Sequence, residues 1–364
     1  MSVPSGFMPD PEIRCRDHRI GAIGAGFIMA DVHLAAYREA GFPVVAIASR
    51  TPDKARAVAE RWGIPRVHDT PAALIEDREV EILDIAFPPD QQPALIRHAL
   101  QQPHIRAILA QKPLAMDHAE AKRLAEEAAA AGKILSVNQN MRFDQSMRVL
   151  KQLLDRDALG TPVLATIEMR AIPHWQPFLE AYGRLTLLNM SIHHLDVLRF
   201  LFGDPVEITT AARTDPRTRF PHRDGICCST LSFPSGLMAV SLEDVWSGPR
   251  QEGFGSDIYI KWRVEGTEGL AQGTIGWPDY PKGSPSTLRY CAPETGGTWV
   301  QPRWDTMWFP HAFKGVMEQL QYAVKTGEPP LLSGADNVRT MALVEAAYRS
   351  LAEKRAVRLA EFGA

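Results

Sequence analysis

The chain has 364 residues, is 45% hydrophobic and 23% charged, and carries a formal net charge of -3. That length fits two domains. The charge balance excludes the basic footprint of a nucleic-acid binder, and the lack of an apolar run of about 18 residues argues against a membrane span. Residues 1–17 have no apolar signal core and are expected to form a short disordered arm. Next come apolar runs alternating with helical stretches. Ile20–Gly24, Val44–Ala48, Glu81–Ala86, Ala107–Ala110 and Ile134–Asn138 are predicted strands, apolar enough to be buried on both faces. Thr51-Pro52 opens one intervening helix and Gly63 closes it; Asp117 caps another, which ends at Gly132. Residues 18–140 are therefore expected to form an α/β domain with a parallel, doubly wound sheet.

The pattern changes after about residue 140. Helices are predicted over Asp144–Asp155 and Leu188–Phe202. Strands then follow one another at Val206–Thr214, Gly225–Phe233, Leu237–Val245, Asp257–Glu265 and Gly269–Ile275, with a hairpin turn at Phe233–Leu237. Two helices near Ala312–Thr326 and Ala335–Lys354 close the chain. Residues 141–364 thus read as an α+β domain with a large, mostly antiparallel open sheet. Cys15, Cys227, Cys228 and Cys291 include no CxxC pair and are expected to be reduced thiols in a cytoplasmic protein.

Gly24-Ala25-Gly26 lies where the first strand passes into a helix. Gly24 permits the tight turn, and Gly26 allows a pyrophosphate to approach the backbone at the helix N-terminus. Met29 stands in place of the third glycine of GxGxxG, so the motif is incomplete. At the end of the second strand an acid would select NAD through the ribose 2'-hydroxyl. The sequence has Ser49-Arg50 there instead, with Lys54 a turn later. These residues favour the 2'-phosphate of NADP over NAD, although Arg50 stacked on the adenine would be neutral in that choice.

Two segments carry candidate chemistry. Gln111-Lys112-Pro113 follows the strand ending at Ala110, at the edge where parallel sheets bind ligands, and Pro113 is a candidate for a cis bond. Taken by itself, a loop lysine is usually a solvated charge. In the second segment, Asn189 and His193 are one helical turn apart and share a face; a lone histidine on such a helix is usually a satisfied core residue. His174, His193 and His194 match no familiar metal-ligand spacing, so no metal is assigned.

The ordered series GAGFIM, Ser49–Ala55, Phe87-Pro88-Pro89-Asp90, Gln111-Lys112-Pro113, Asn140–Phe143, Ile192–Asp196 and Ser333–Asn337 resembles the Gfo/Idh/MocA family of oxidoreductases over roughly residues 18 to 360. The resemblance implies a Rossmann domain followed by a domain whose open sheet forms a homodimer or homotetramer. It also implies a lysine, an aspartate and a histidine around the reacting carbon. Lys112 and His193 match the lysine and the histidine. Gln111 replaces the usual glutamate and Asn189 the usual aspartate. Asparagine hydrogen-bonds a hydroxyl but accepts no proton, so base work falls to His193 or Lys112. The implied activity is hydride transfer between nicotinamide and a sugar or polyol carbon, with oxidation of an aldose to a lactone as the first expectation. Catalysis is assigned to Lys112, His193 and Asn189. Cofactor contacts are assigned to Gly24, Gly26, Phe27, Ile28, Ser49, Arg50, Lys54, Phe87, Pro88, Gln92, Gln111 and Lys112, and substrate contacts to Lys112, Asn140, Arg142, His174, Trp175, Asn189 and His193, with Tyr182 a further candidate. Redox-assisted elimination and non-catalytic dinucleotide sensing on the same scaffold are the alternatives.

Overall fold

The computed structural model describes residues 6–171, 177–245, 258–276 and 283–363. They form two compact units. One comprises Pro11–Asn140 with Phe309–Met341, and the other residues up to Asp10, Met141–Trp308 and the C-terminal segment from Ala342.

The dinucleotide-type unit contains strands β1 (Ile20–Ile23), β2 (Val44–Ala48), β3 (Arg66–His68), β4 (Ile82–Ile85), β5 (Ala107–Ala110) and β6 (Ile134–Val137). They pair in parallel in the order β3-β2-β1-β4-β5-β6. β1, β4 and β5 are buried at every position, which explains their continuous apolar sequences. The order reverses between β1 and β4, and such a switch point opens a crevice at the carboxyl ends of the strands. Helices α1 (Leu34–Ala40), α2 (Pro52–Trp62), α3 (Pro71–Ile75), α4 (Gln92–Leu100) and α5 (His118–Ala130) supply the crossovers. Asp117 caps α5 by accepting from the Glu120 amide, as its sequence signature predicts. β3 was not anticipated; three half-buried residues carry too little pattern to announce a strand.

The second unit holds α6 (Gln145–Asp155), β7 (Pro162–Arg170), α7 (Pro177–Glu180), α8 (Ile192–Phe202), β8 (Glu207–Arg213), β9 (Ile226–Ser232), β10 (Met238–Asp244), β11 (Tyr259–Gly266), β12 (Leu270–Ile275) and β13 (Thr287–Cys291). Helix α9 (Ala312–Thr326) belongs to the first unit. Helix α10 (Gly334–Glu353) begins in the first unit and ends in the second, and β14 (Val357–Arg358) follows. The sheet order is β13-β12-β11-β7-β10-β9-β8-β14, antiparallel except for the β7–β10 pair. Strands β7, β13 and β14 were not anticipated, and β7 is central. Its Ala165, Ile167 and Met169 are buried alternately, so its signal is period two rather than a solid apolar run.

Residues 6–17 are held in place, unlike the disordered arm expected for them. Phe7 packs edge-on against Tyr290 at 5.9 Å in the second unit, and Arg156 lies over its ring. In the first unit Arg14 forks onto Glu318 and stacks on Tyr322 at 3.6 Å, while Cys15 is buried. Aromatic and charge-assisted contacts between residues distant in sequence set this order, so the segment's own polar composition did not reveal it. Among the described residues, no helix is long and apolar enough to cross a membrane.

Candidate functional site

In the first unit, β1 ends in a turn built around Gly24. Its φ is +121°, and a Cβ there would come within 2.8 Å of the Ala86 carbonyl oxygen. That position requires glycine. Gly26 differs: a Cβ on it would meet nothing within 4 Å. Open space therefore faces the backbone at the start of the next helix, as close approach by a pyrophosphate requires. Phe27 is exposed, and Ile28–His33 form a single π-helical turn that continues into α1.

Beside this turn, Ser49 is almost buried and accepts a 3.4 Å bond from the Thr51 amide. Arg50 is exposed; its guanidinium lies 5.3 Å from the Phe87 ring centroid and donates to Gln91 Oε1 at 2.8 Å. Lys54 is exposed in the first turn of α2, and Pro88 is half-buried. No acid occupies the tip of β2. Gln91, which sequence reasoning missed, sets where Arg50 sits.

Gln92 does something more definite than contact a ligand. It is fully buried, and its Nε2 lies 2.8, 2.7 and 3.0 Å from the carbonyl oxygens of Gln111, Pro113 and Leu114, while its Oε1 accepts from the Gln111 amide at 3.0 Å. One side chain thereby fixes the loop that carries Lys112. The Lys112–Pro113 bond is cis. Burial lowers the Lys112 pKa to about 8, because the charged ammonium loses hydration. Gln111 Oε1 accepts from the Lys112 amide, and its Nε2 is buried with no hydrogen-bond partner.

A polar chain under the sheet was also missed. Asp84 Oδ2 on β4 lies 2.7 Å from His33 Nδ1 and accepts from the Tyr37 hydroxyl at 2.7 Å. A ring that donates from Nδ1 accepts at Nε2, where Asn138 Nδ2 lies at 3.0 Å. Asn138 Oδ1 in turn lies 3.3 Å from Asn140 Nδ2. All five residues are buried. The chain ties the helical turn that follows Gly26 to β4 and to the residues just after β6.

In the second unit, the expected α-helix over 188–202 divides. Leu187–Ser191 form a π-helical turn with half-buried Asn189, and α8 begins only at Ile192. His193 is buried, and the Trp308 ring stands perpendicular to it at 6.1 Å. His194 is fully buried against Glu243 at 2.9 Å, with Ser241 donating to the same carboxylate at 2.6 Å. Arg142, expected among the substrate contacts, is buried and committed to Asp196 through two 2.6 Å bonds. It clamps α8 rather than presenting its fork to solvent. Tyr182 is half-buried against Phe178. His174 and Trp175 lie outside the described residues. Among the described residues, no cluster of three or more His, Cys, Asp or Glu side chains could hold a metal ion.

These features are those of a dinucleotide-binding oxidoreductase, and comparison with known proteins agrees. Residues 18–139 match a model described as oxidoreductase family, NAD-binding Rossmann fold, and residues 147–272 match the GFO/IDH/MocA C-terminal domain. The chain belongs to the Gfo/Idh/MocA family of oxidoreductases. Among curated relatives, it is 27% identical to D-apiose dehydrogenase of Paraburkholderia graminis, over 93% of this chain and 88% of that protein. It is also 27% identical to myo-inositol 2-dehydrogenase of Thermotoga maritima, over 94% and 99%. Its fold matches an Agrobacterium radiobacter oxidoreductase solved with NAD+, L-tartaric acid and magnesium, at a TM-score of 0.79 and 24% identity, over 95% of this chain and 99% of that one.

The buried Arg142–Asp196 pair gives a stability prediction. Asp196→Ala removes both 2.6 Å bonds from the buried Arg142 guanidinium to its carboxylate and should cost about 3–5 kcal/mol, measured by urea unfolding. A loss below about 1 kcal/mol, as for an exposed pair, would contradict the clamp.

Proposed function

We propose that the protein is an NAD(P)-dependent dehydrogenase acting on a hydroxyl-bearing carbon of a sugar or polyol, with oxidation of an aldose to a lactone as the leading case. The observation that carries the reading is Lys112, an amine with a lowered pKa on a loop pinned by Gln92 at the carboxyl edge of the parallel sheet. The relatives named as apiose and inositol dehydrogenases support the substrate class. Residues 18–140 hold the dinucleotide; residues 141–364 bind the substrate and form a homodimer or homotetramer through the eight-stranded sheet. Exposed Val163 and Met238 on that sheet support the assembly. The four cysteines are free, which suits the cytoplasm.

The open space at Gly26 and the unpartnered Gln111 Nε2 fit a bound dinucleotide. When bound, nicotinamide takes up or releases the hydride. The Lys112 Nζ ammonium donates to the substrate hydroxyl oxygen, and the His193 imidazole takes the hydroxyl proton. Asn189 accepts no proton, so it orients. Asn140 completes the polar contacts, held by the chain from Asp84.

Nicotinamide absorbance with a panel of aldoses and polyols tests the activity directly, and inertness throughout the panel contradicts it. Because Lys112 acts as a donor, kcat/KM for alcohol oxidation should fall as pH rises through about 8, where the ammonium is lost. Lys112→Arg should remove that upper limb, since arginine stays charged. A profile still rising above that pH would make the Lys112 amine the base instead.

NADP is the preferred cofactor in this reading, with Arg50 presented by Gln91 and Phe87 to the 2'-phosphate. Arg50→Ala should lower the NADP-to-NAD ratio of kcat/KM at least about tenfold, as loss of a charge-assisted bond predicts. An unchanged ratio would return Arg50 to a neutral stacking role.

A further inference from the structure

The residues assigned to catalysis in the second unit sit on a backbone segment whose start has no cap of its own. Neither Thr186 nor Ser191 caps it through a side-chain hydrogen bond. Exposed amides at the start of a helical segment need acceptors, and here they come from a distant part of the chain. Asp224, just before β9, is fully buried. Its Oδ1 accepts from the Leu185 amide at 3.0 Å and its Oδ2 from the Leu187 amide at 2.8 Å. The Tyr348 hydroxyl on α10 donates to the same Oδ2 at 2.7 Å. Thr186 completes the clasp: its amide donates to the Asp224 carbonyl at 3.3 Å and its hydroxyl to the Gly225 carbonyl at 2.9 Å. The Asn189 amide then bonds back to the Leu185 carbonyl at 2.9 Å, so the clasped residues lead directly into the turn that carries Asn189.

We infer that Asp224 is a positioning residue for catalysis: its carboxylate, steadied by Tyr348, caps the π-helical turn and thereby fixes Asn189 and, through the start of α8, His193. A carboxylate at a helical N-terminus gains from the peptide dipoles as well as from the two N–H bonds. Ser or Asn in its place would offer fewer acceptor sites. A π-helical turn is a costly local conformation, so it needs such an outside tie. The inference rests on the assignment of Asn189 and His193 to catalysis.

Asp224→Asn replaces one acceptor oxygen by a donor, so one of the two capped amides loses its partner. We expect kcat to fall about tenfold to a hundredfold, as for a small misplacement of reacting groups. KM for the dinucleotide, which the other unit binds, should stay unchanged. Amide exchange measured across Leu185–Ser191 should be at least about tenfold faster, a local opening that needs no catalysis to be seen. Thr186→Val, which removes only the hydroxyl bond to Gly225, should give a smaller fall in the same direction and serves if the first variant does not fold. Wild-type kcat in a folded variant, or unchanged exchange over the segment, overturns the inference. His193→Asn measured in parallel separates the two ideas. Full turnover in that variant refutes the role of His193, while the exchange result still decides whether Asp224 holds the turn.

Discussion

A parallel sheet brings the carboxyl ends of its strands to one edge, and the candidate cofactor site depends on that constraint. Because β1, β4 and β5 lie side by side, the Gly24–Gly26 turn, Phe87-Pro88 and Gln111-Lys112 emerge next to one another although they are far apart in sequence. The backbone at Gly24 leaves no room for a side chain, whereas the backbone at Gly26 faces open space. One glycine makes the turn and the other leaves the approach free. Everything assigned to cofactor binding and to Lys112 follows from that edge.

Each segment of the candidate site is held by a buried polar group. Gln92 secures the Lys112 loop through backbone carbonyls, Asp84 and His33 secure the helix after the glycine turn, and Arg142 secures α8 through Asp196. Such groups are costly to bury unless they are bonded, and here their bonds join segments far apart in sequence. The lowered pKa of Lys112 belongs with this arrangement: a loop pinned in place can keep an amine away from water.

The sequence showed the architecture more clearly than the anchors. β5 lies where its apolar run places it, because a strand buried on both faces writes a continuous signal. β7 alternates instead and was missed, although its buried Ala165, Ile167 and Met169 were legible as a period of two. Lys112 and Asn189 could be picked out by motif. Gln92, Asp224 and the Asp84–His33 pair could not, since their partners are backbone groups or side chains brought close only by folding. Arg142 shows the same limit: the resemblance gave it as a substrate contact, and only the fold shows Asp196 opposite it.

The central claim is that a dinucleotide docks on the Gly24–Gly26 turn, and Gly26→Val tests it most directly. A Cβ at Gly26 meets no atom within 4 Å, so the variant should fold and melt like the wild type while occupying the space where a docked pyrophosphate would lie. Titration of nicotinamide fluorescence should show dinucleotide binding weakened at least about a hundredfold, the loss of roughly 3 kcal/mol of binding energy. A folded variant that binds the cofactor as tightly as the wild type would contradict the account.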